Sequence, residues 1–367
     1  GGRGMRVGLD YRPGLSNPNN GIGRQNVALA SVLGDLPGVE LSLFTPAPED
    51  HPIRAQAHCP SWSSPIEGQH RLPRRLRFEL AYMPWALRRL GIEVHISTFN
   101  MGLPLPPRPP GTRYVLQLHD LFQLHLKNRH SSWLRETVYR LSDNLSIRYS
   151  IRVAERIWTP SQYSADEVAR TFPWAASKVR VLPNLVPRCT STPVAPPLPL
   201  PARFWLLVGT REPRKNVPWF LEQWHLARAA DAAVPELVLV GGGEFVPAAL
   251  RTLPGVHLMP ALSDAELQGV YQAAECLWQP SLAEGFGLPV IEALAGGTPV
   301  AVATGSSLDE IVAPGTPRFS PYDGAALVTL MHRLARPEDP DRDALRAWAE
   351  RYSEQPYRAR VAELLQE

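Results

Sequence analysis

The chain reads as an α/β protein built from two open, parallel-sheet domains joined by a linker. Three observations predict this. Its 367 residues are too many for one ordinary core and suit two. Strand-like apolar runs alternate with helical patterns, which is the signature of βαβ units. The alternation stops once, at the proline-rich PRCTSTPVAPPLPLP of 187–201, and then restarts.

Taken in order, MRVGLD (5–10) reads as a buried strand leading into a loop, YRPGLSNPNNGIG. A helix follows over 24–33, with Val27, Leu29, Ala30, Val32 and Leu33 at apolar spacing. ELSLF from Glu40, TRYVLQLHD from Thr112, RIWTPS from Arg156 and KVRVLPN from Lys178 are further strands. After the linker come FWLLVGT, a helix over 216–228, ELVLVGGG, a short VHLM strand and a helix over 263–274. CLWQPS, a short helix and PVAVA complete the second sheet, and one or two helices close the chain from Asp343. The expected divisions are a first domain at 5–187, a linker at 188–202, a second domain at 203–345 and a closing helix at 346–367 packing back toward the first domain. Two such domains place a ligand cleft between them, at the carboxyl ends of the strands.

Composition excludes several classes. The formal net charge of +3 is too small to indicate nucleic acid. Cys59, Cys189 and Cys276 are isolated, so a disulfide framework or zinc site is not expected and a reducing compartment fits. No apolar run reaches the roughly 18 residues that would suggest a membrane span. No signal peptide is visible, and 1–4 read as a scar before a natural start at Met5.

The stretch EGFGLPVIEALAGGTP (284–299) carries the chemistry. Pro289 suits the first position of a helix of about two turns, which Gly296 and Gly297 stop. Glu284 precedes that helix and Glu292 is expected on its first turn. The N–H groups from Gly287 to Val290 would lack helical partners and form an anion cradle, with Gly285 and Gly287 admitting a ligand close to the backbone. Carboxylates beside an anion site suit vicinal hydroxyls, so a nucleotide sugar fits. The blander readings are a solvated loop acid at Glu284 and an acid favouring a helix N-terminus at Glu292.

Glu284 and Glu292, inside EGFGLPVIEALAGGTPV, resemble the E-x7-E motif of retaining glycosyltransferases of the GT-B fold, family 4. The resemblance covers almost the whole chain. NGIGRQNVAL from Asn20 is similar to the family's glycine loop, LHDL from Leu118 to its HDL segment, and LLVGTREPRKN from Leu206 to its basic phosphate motif. TPSQYSADEV, VLPN and SDAELQGVYQAAECLWQPSLAEGFG follow the family pattern as well. The resemblance implies that Glu284 contacts the transferred sugar and Glu292 the ribose hydroxyls. It implies that Gly285, Phe286 and Gly287, with Leu288 behind them, line the sugar and diphosphate through their backbone. Arg214 and Lys215 would clamp the diphosphate, His119 would face the donor sugar, and Gly23 would approach the phosphate from the other domain. The basic motif departs from the family in having Thr210 after the strand glycine, with Arg211 one position later.

Other features are weighed by the same chemistry. Arg214 and Lys215 could be a solvated basic pair, but a departing diphosphate needs such charges, and Asn216 could cap the helix that follows. His119 stands at the carboxyl end of a strand, whereas His125 and His130 read as loop residues. GGGE from Gly241 is a turn. Asp341 and Asp343 form a D-x-D beside two prolines, which helix capping explains, so no essential metal or other cofactor is expected. Arg71 to Leu90 mixes arginines with Leu, Phe, Tyr, Met and Trp. Two short basic helices broken by Pro84 could lie on an anionic membrane, or one surface helix could pack its apolar side inward.

The segments resemble bacterial mannosyltransferases of surface polysaccharide and lipopolysaccharide assembly, implying GDP-mannose as donor and a glycan or polyprenyl-linked acceptor. Rhamnose or glucose donors, a GT-B sugar-nucleotide epimerase and a non-catalytic binder are the alternatives. A cytoplasmic protein, peripheral on the inner membrane, is expected.

Overall fold

A computed structural model of the chain describes residues 4–125, 133–188 and 192–367. These form two compact units, one of residues 1–185 with Tyr357–Glu367 and one of Val186–Pro356. The fold class is as the sequence predicts: each unit is built on a six-stranded sheet in which every pairing is parallel.

In the first unit the strands are β1 (Met5–Asp10), β2 (Val39–Phe44), β3 (Val94–Ser97), β4 (Arg113–Gln117), β5 (Arg156–Thr159) and β6 (Val179–Val181), ordered β2-β1-β3-β4-β5-β6. The sequence reading missed β3. Its four residues, VHIS, carry a polar residue at every second position, yet all four are buried in the middle of the sheet. A short central strand needs no alternation of apolar and polar faces, because both faces are covered. The terminal helix Glu354–Gln366 packs Tyr357, Val361, Leu364 and Leu365 on the layer that contains Val7, Leu9 and Leu29.

The loop expected at 11–23 contains a helical turn at Arg12–Ser16, and the next helix begins at Gly21 rather than Arg24. Residues 72–90 are not two helices broken at Pro84. They form one helical run, Leu72–Leu76, a π-helical turn at Arg77–Tyr82, and Met83–Leu90. Proline lacks an N–H and its ring crowds the carbonyl four residues back, so a widened turn just ahead of Pro84 absorbs the strain. Phe78, Tyr82, Met83, Ala86 and Leu87 face the core, while Leu76, Leu80 and Trp85 face solvent.

The second unit holds β7 (Phe204–Val208), β8 (Glu236–Val240), β9 (Val256–Met259), β10 (Cys276–Gln279), β11 (Val300–Ala303) and β12 (Arg318–Phe319), ordered β12-β11-β10-β7-β8-β9. The helix Val217–Ala230 and the helix Gly324–Leu334 cover one face, and the helix Leu288–Ala295 helps cover the other. Strand β12 and Gly324–Leu334 escaped the sequence reading. Trp205 and Trp278, both fully buried, meet with ring centroids 4.8 Å apart on the first of these faces. Linker residue Val194 donates its N–H to Ala265 O at 3.2 Å, so this part of the linker lies along the helix Asp264–Ala273. Cys189 lies outside the described residues.

Candidate active site

Strand order reverses beside β7: β8 and β9 lie to one side, and β10, β11 and β12 to the other. Ligand sites of open α/β sheets form at such a reversal, beyond the carboxyl ends of the strands. The segment after β7 delivers Arg214 and Lys215 on a 3-10 turn, Pro213–Lys215. The segment after the neighbouring β10 delivers Glu284. Leu282 N–H donates to Arg214 O at 2.8 Å and ties the two segments together.

The three side chains converge. Lys215 Nζ lies 2.8 Å from Glu284 Oε1, and Arg214 Nη1 lies 3.0 Å from Oε2. Gln279 Nε2 and Ser281 Oγ also donate to Oε1, at 3.0 and 2.8 Å. Oε1 therefore accepts three hydrogen bonds, and further accepting capacity lies at Oε2. Glu284 is only 4% exposed. Burial pushes its carboxyl upward, but Lys215 and Arg214 outweigh burial and hold it near a pKa of about 2. Burial alone would lower the Arg214 pKa, yet Glu284 and Glu212 keep it above the ordinary value. The Arg214 guanidinium and the Glu284 carboxylate are thus charged across the physiological range.

Arg211 stands apart, with its guanidinium 3.9 Å from Glu244 and mostly solvated, while Thr210 Oγ1 donates to Gly241 O at 2.7 Å. Asn216 precedes the helix Val217–Ala230 in a left-handed conformation, φ 61°, and its side chain does not cap the helix. It reaches Pro321 O at 3.3 Å instead. The turn expected at Gly241 is present, with φ of 75° and 69° at Gly241 and Gly242.

The helix Leu288–Ala295 follows directly on Gly287, its N-cap residue, so Pro289 is its second residue. Gly287 has φ 107°, and a Cβ there would meet Leu308 Cδ2 at 2.6 Å, so only glycine fits. Val290 N–H donates to Gly287 O at 3.1 Å, and Pro289 has no N–H. Neither Pro289 nor Val290 therefore offers an open N–H to the anion cradle that the sequence suggests over 287–290. Phe286 is buried, edge-on to Tyr352 with centroids 5.3 Å apart, which leaves only its backbone for a ligand. Ser307 Oγ donates to Glu284 O at 2.7 Å and to Phe286 O at 3.1 Å, fixing the EGFG backbone. Glu292 sits one turn into the helix rather than on its first turn, half-buried, and accepts from Tyr271 Oη at 3.0 Å.

Two expected residues belong to the first unit. His119 follows β4 and is 7% exposed. Its Nε2 lies 2.8 Å from Thr98 O, so Nε2 carries the proton and Nδ1 is the nitrogen left to meet a ligand. Burial lowers its pKa to about 4, against a smaller opposing effect of the Thr98 carbonyl, so the ring is neutral near pH 7. Asn100, left-handed at φ 70°, receives the His119 N–H at 2.7 Å. Gly23 lies in the first turn of the helix Gly21–Asp35, its N–H bonded to Asn20 Oδ1 at 2.7 Å. A Cβ at Gly23 would sit 1.6 Å from Asn17 O, so chain packing already demands glycine there.

Gln279, Ser281, Ser307, Tyr271, Asn100 and Thr98 were not singled out from the sequence. Gln279 carried a signal, a polar residue ending the apolar strand CLWQ at a ligand-facing sheet end. Ser281 stands three residues from Glu284, whereas Ser307, Tyr271, Asn100 and Thr98 act across about 20 residues through tertiary contacts that no local spacing marks. Asp341 caps the helix Arg342–Ala349 through Ala344 N–H at 3.1 Å, and Asp343 pairs with Arg346 at 3.0 Å, so the D-x-D serves that helix. His125 lies in a short helix, Phe122–His125, rather than in a loop, and His130 lies outside the described residues. Among the described residues, no helix is long and apolar enough to cross a membrane.

Residues 19–188 match a family model described as Glycosyltransferase Family 4, and residues 203–336 match one described as Glycosyl transferases group 1. An O-antigen chain mannosyltransferase B of Escherichia coli is 30% identical over 183 residues, 46% of this chain and 48% of that relative. An O-antigen chain mannosyltransferase, RfbU, of Salmonella typhimurium is 24% identical over 215 residues, 57% of each. The matches thus span about half the length of these relatives. Among solved structures, the lipopolysaccharide outer core galactosyltransferase WaaB superposes with a TM-score of 0.66 at 17% identity, covering 98% of this chain and 99% of that one. Sucrose-phosphate synthase from Thermosynechococcus elongatus gives 0.66 at 18% identity, covering 99% and 98%. At identities this low, the superpositions establish a shared fold alone.

Proposed function

The chain belongs to the GT-B glycosyltransferases, and we propose that it transfers mannose from GDP-mannose, with retention of configuration, to a hydroxyl of a glycan or polyprenyl-linked acceptor in bacterial surface polysaccharide assembly. The observation that carries the reaction class to named residues is the buried Glu284–Arg214–Lys215 cluster at the strand-order reversal, with Glu284 opening the EGFG turn that leads into the helix Leu288–Ala295. The sugar rests on the two O-antigen mannosyltransferase relatives.

In this reading the hard step is departure of the nucleoside diphosphate as the sugar takes on oxocarbenium character. Arg214 and Lys215 stabilise the leaving charge, and the backbone ahead of Pro289 supplies N–H donors to it. Lys215 uses one of its three donors on Glu284. Glu284 holds both cations in place and offers Oε2 toward the sugar. Glu292, oriented by Tyr271, binds the ribose hydroxyls. His119 contributes as a neutral group accepting a sugar hydroxyl at Nδ1. In the front-face account that the family resemblance favours, the leaving phosphate takes the acceptor proton on the same face. The charge on the diphosphate is met by side chains, so turnover should survive chelation with EDTA. The enzyme would work in the cytoplasm, peripheral to the inner membrane, with residues 71–90 as one contact.

A thermal-shift panel of nucleotide sugars tests the donor: GDP-mannose should stabilise the protein more than UDP-glucose. Incubation with donor alone tests the class, since an epimer or quantitative hydrolysis would overturn the transferase reading. In isothermal titration, Glu292→Ala should weaken donor binding more than Glu284→Ala, and the reverse order would refute the assigned roles.

A further inference from the structure

The helix Trp133–Val153 has its apolar residues on the wrong side for a core helix. Its core-facing residues are Ile147, Ser150 and Ile151. Leu134, Val138, Leu141 and Leu145 recur at spacings of four, three and four, so they form one stripe. All four point outward, 67%, 50%, 59% and 68% exposed, with Trp133 beside them at 79%. The stripe runs about 16 Å along the helix at 1.5 Å per residue. Continuing the same spacing reaches Arg148 and Arg152, both exposed. The helix carries four arginines, Arg135, Arg140, Arg148 and Arg152, against Glu136 and Asp143. Asp143 is already engaged by Arg75 at 3.4 Å, a contact that joins this helix to the run at 72–90.

An outward apolar stripe of this size marks a binding face. The charges decide what binds it. A second copy paired in parallel along the stripe would set Arg148 and Arg152 against the same two arginines. A glycan offers no apolar interior for four aliphatic side chains. An anionic bilayer answers both features, taking the stripe into its acyl boundary and the arginines at its headgroups. We propose that the Trp133–Leu145 face of this helix, with Arg148 and Arg152 continuing it, docks the protein on an anionic lipid surface. This adds a contact distinct from residues 71–90 and does not depend on which donor the enzyme uses.

The test is co-sedimentation of the full chain, without nucleotide sugar, on phosphatidylcholine vesicles with and without phosphatidylglycerol. Wild type should bind the anionic vesicles, and binding should fall as salt rises from about 0.1 M to about 1 M. The variant L141D/L145D should lose about tenfold or more of the vesicle partition with an unchanged melting temperature, because both side chains are exposed. R148E/R152E should lose binding too. The proposal fails if wild type ignores anionic vesicles, or if L141D/L145D binds as wild type does. It fails equally if L76D/L80D alone abolishes binding, or if light scattering shows a dimer that L141D/L145D dissolves with vesicle binding intact. Donor affinity, read separately by titration, should be the same in L141D/L145D as in wild type, so failure of the donor reading and failure of this one are told apart.

Discussion

Removing the charge of Glu284 tests whether the candidate site is one electrostatic unit. Its carboxylate meets Lys215 at 2.8 Å and Arg214 at 3.0 Å in a pocket that leaves it 4% exposed. With charge centres about 4 Å apart and an effective dielectric of about 20, each attraction is worth about 4 kcal/mol before desolvation. Desolvating three ions cancels much of this, but deleting one partner leaves the others buried and unanswered, at a cost of about 3–5 kcal/mol. The depressed pKa expresses the same attractions net of burial. Lowering the carboxyl from 4.5 to about 2 corresponds to about 3 kcal/mol of folding stability. The sign is that of a depressed acid: the stability is fully present above about pH 4.5 and is lost as pH falls toward about 2. Glu284→Gln keeps the shape and loses the charge. In the absence of ligand it should cost about 3 kcal/mol by urea denaturation, and Lys215→Met should cost less in the Glu284→Gln background than in wild type. A loss below about 1 kcal/mol, with the two substitutions simply additive, would refute the reasoning.

Three further outcomes follow from the geometry. Gly23→Ala would place a Cβ 1.6 Å from Asn17 O, so the first helical turn must shift; a loss of about 2 kcal/mol or more is expected in denaturation, and an unchanged midpoint would contradict it. Tyr271→Phe removes the hydroxyl donating to Glu292 and should weaken donor binding about three- to tenfold by titration, with little effect once Glu292 is already Ala. His119, held down to about 4 by burial, should show no titration of its own between pH 5 and 8 by NMR. Its contribution to stability is full above the ordinary value of 6.5 and declines as pH falls toward about 4, so His119→Gln should flatten the stability curve in that window.

Much of this was legible in the residues. Glu284, Arg214 and Lys215 stood out because each follows an unmistakable strand, FWLLV or CLWQ. That these strands are neighbours was not legible, because 69 residues separate Lys215 from Glu284. The EGFG turn and its helix were readable from glycine and proline. The bond from Val290 to Gly287 O, which narrows the anion cradle, was not. Strand β3 was missed because it has only four residues and its polar His95 and Ser97 are buried together with Val94 and Ile96. For 72–90, the arginines and aromatics left membrane and core readings open; the structure turns Phe78, Met83 and Leu87 inward and leaves Leu76, Leu80 and Trp85 outward.

By itself, then, the sequence determined the local chemistry: the longer strands, the glycine and proline that bound the helix after EGFG, and which residues carry charge at strand ends. Those features depend on near neighbours along the chain, whose preferences are set within a few residues. Tertiary structure decided which strand ends meet, why Glu284 stays ionised though buried, which nitrogen of His119 is committed to Thr98, and which way the leucines of 134–145 face. Each depends on burial and on partners distant in the chain. An apolar stripe at helical spacing looks the same in sequence whether it faces the core or the solvent, and only the packing of Ile147 and Ile151 against the first unit's core turns this one outward.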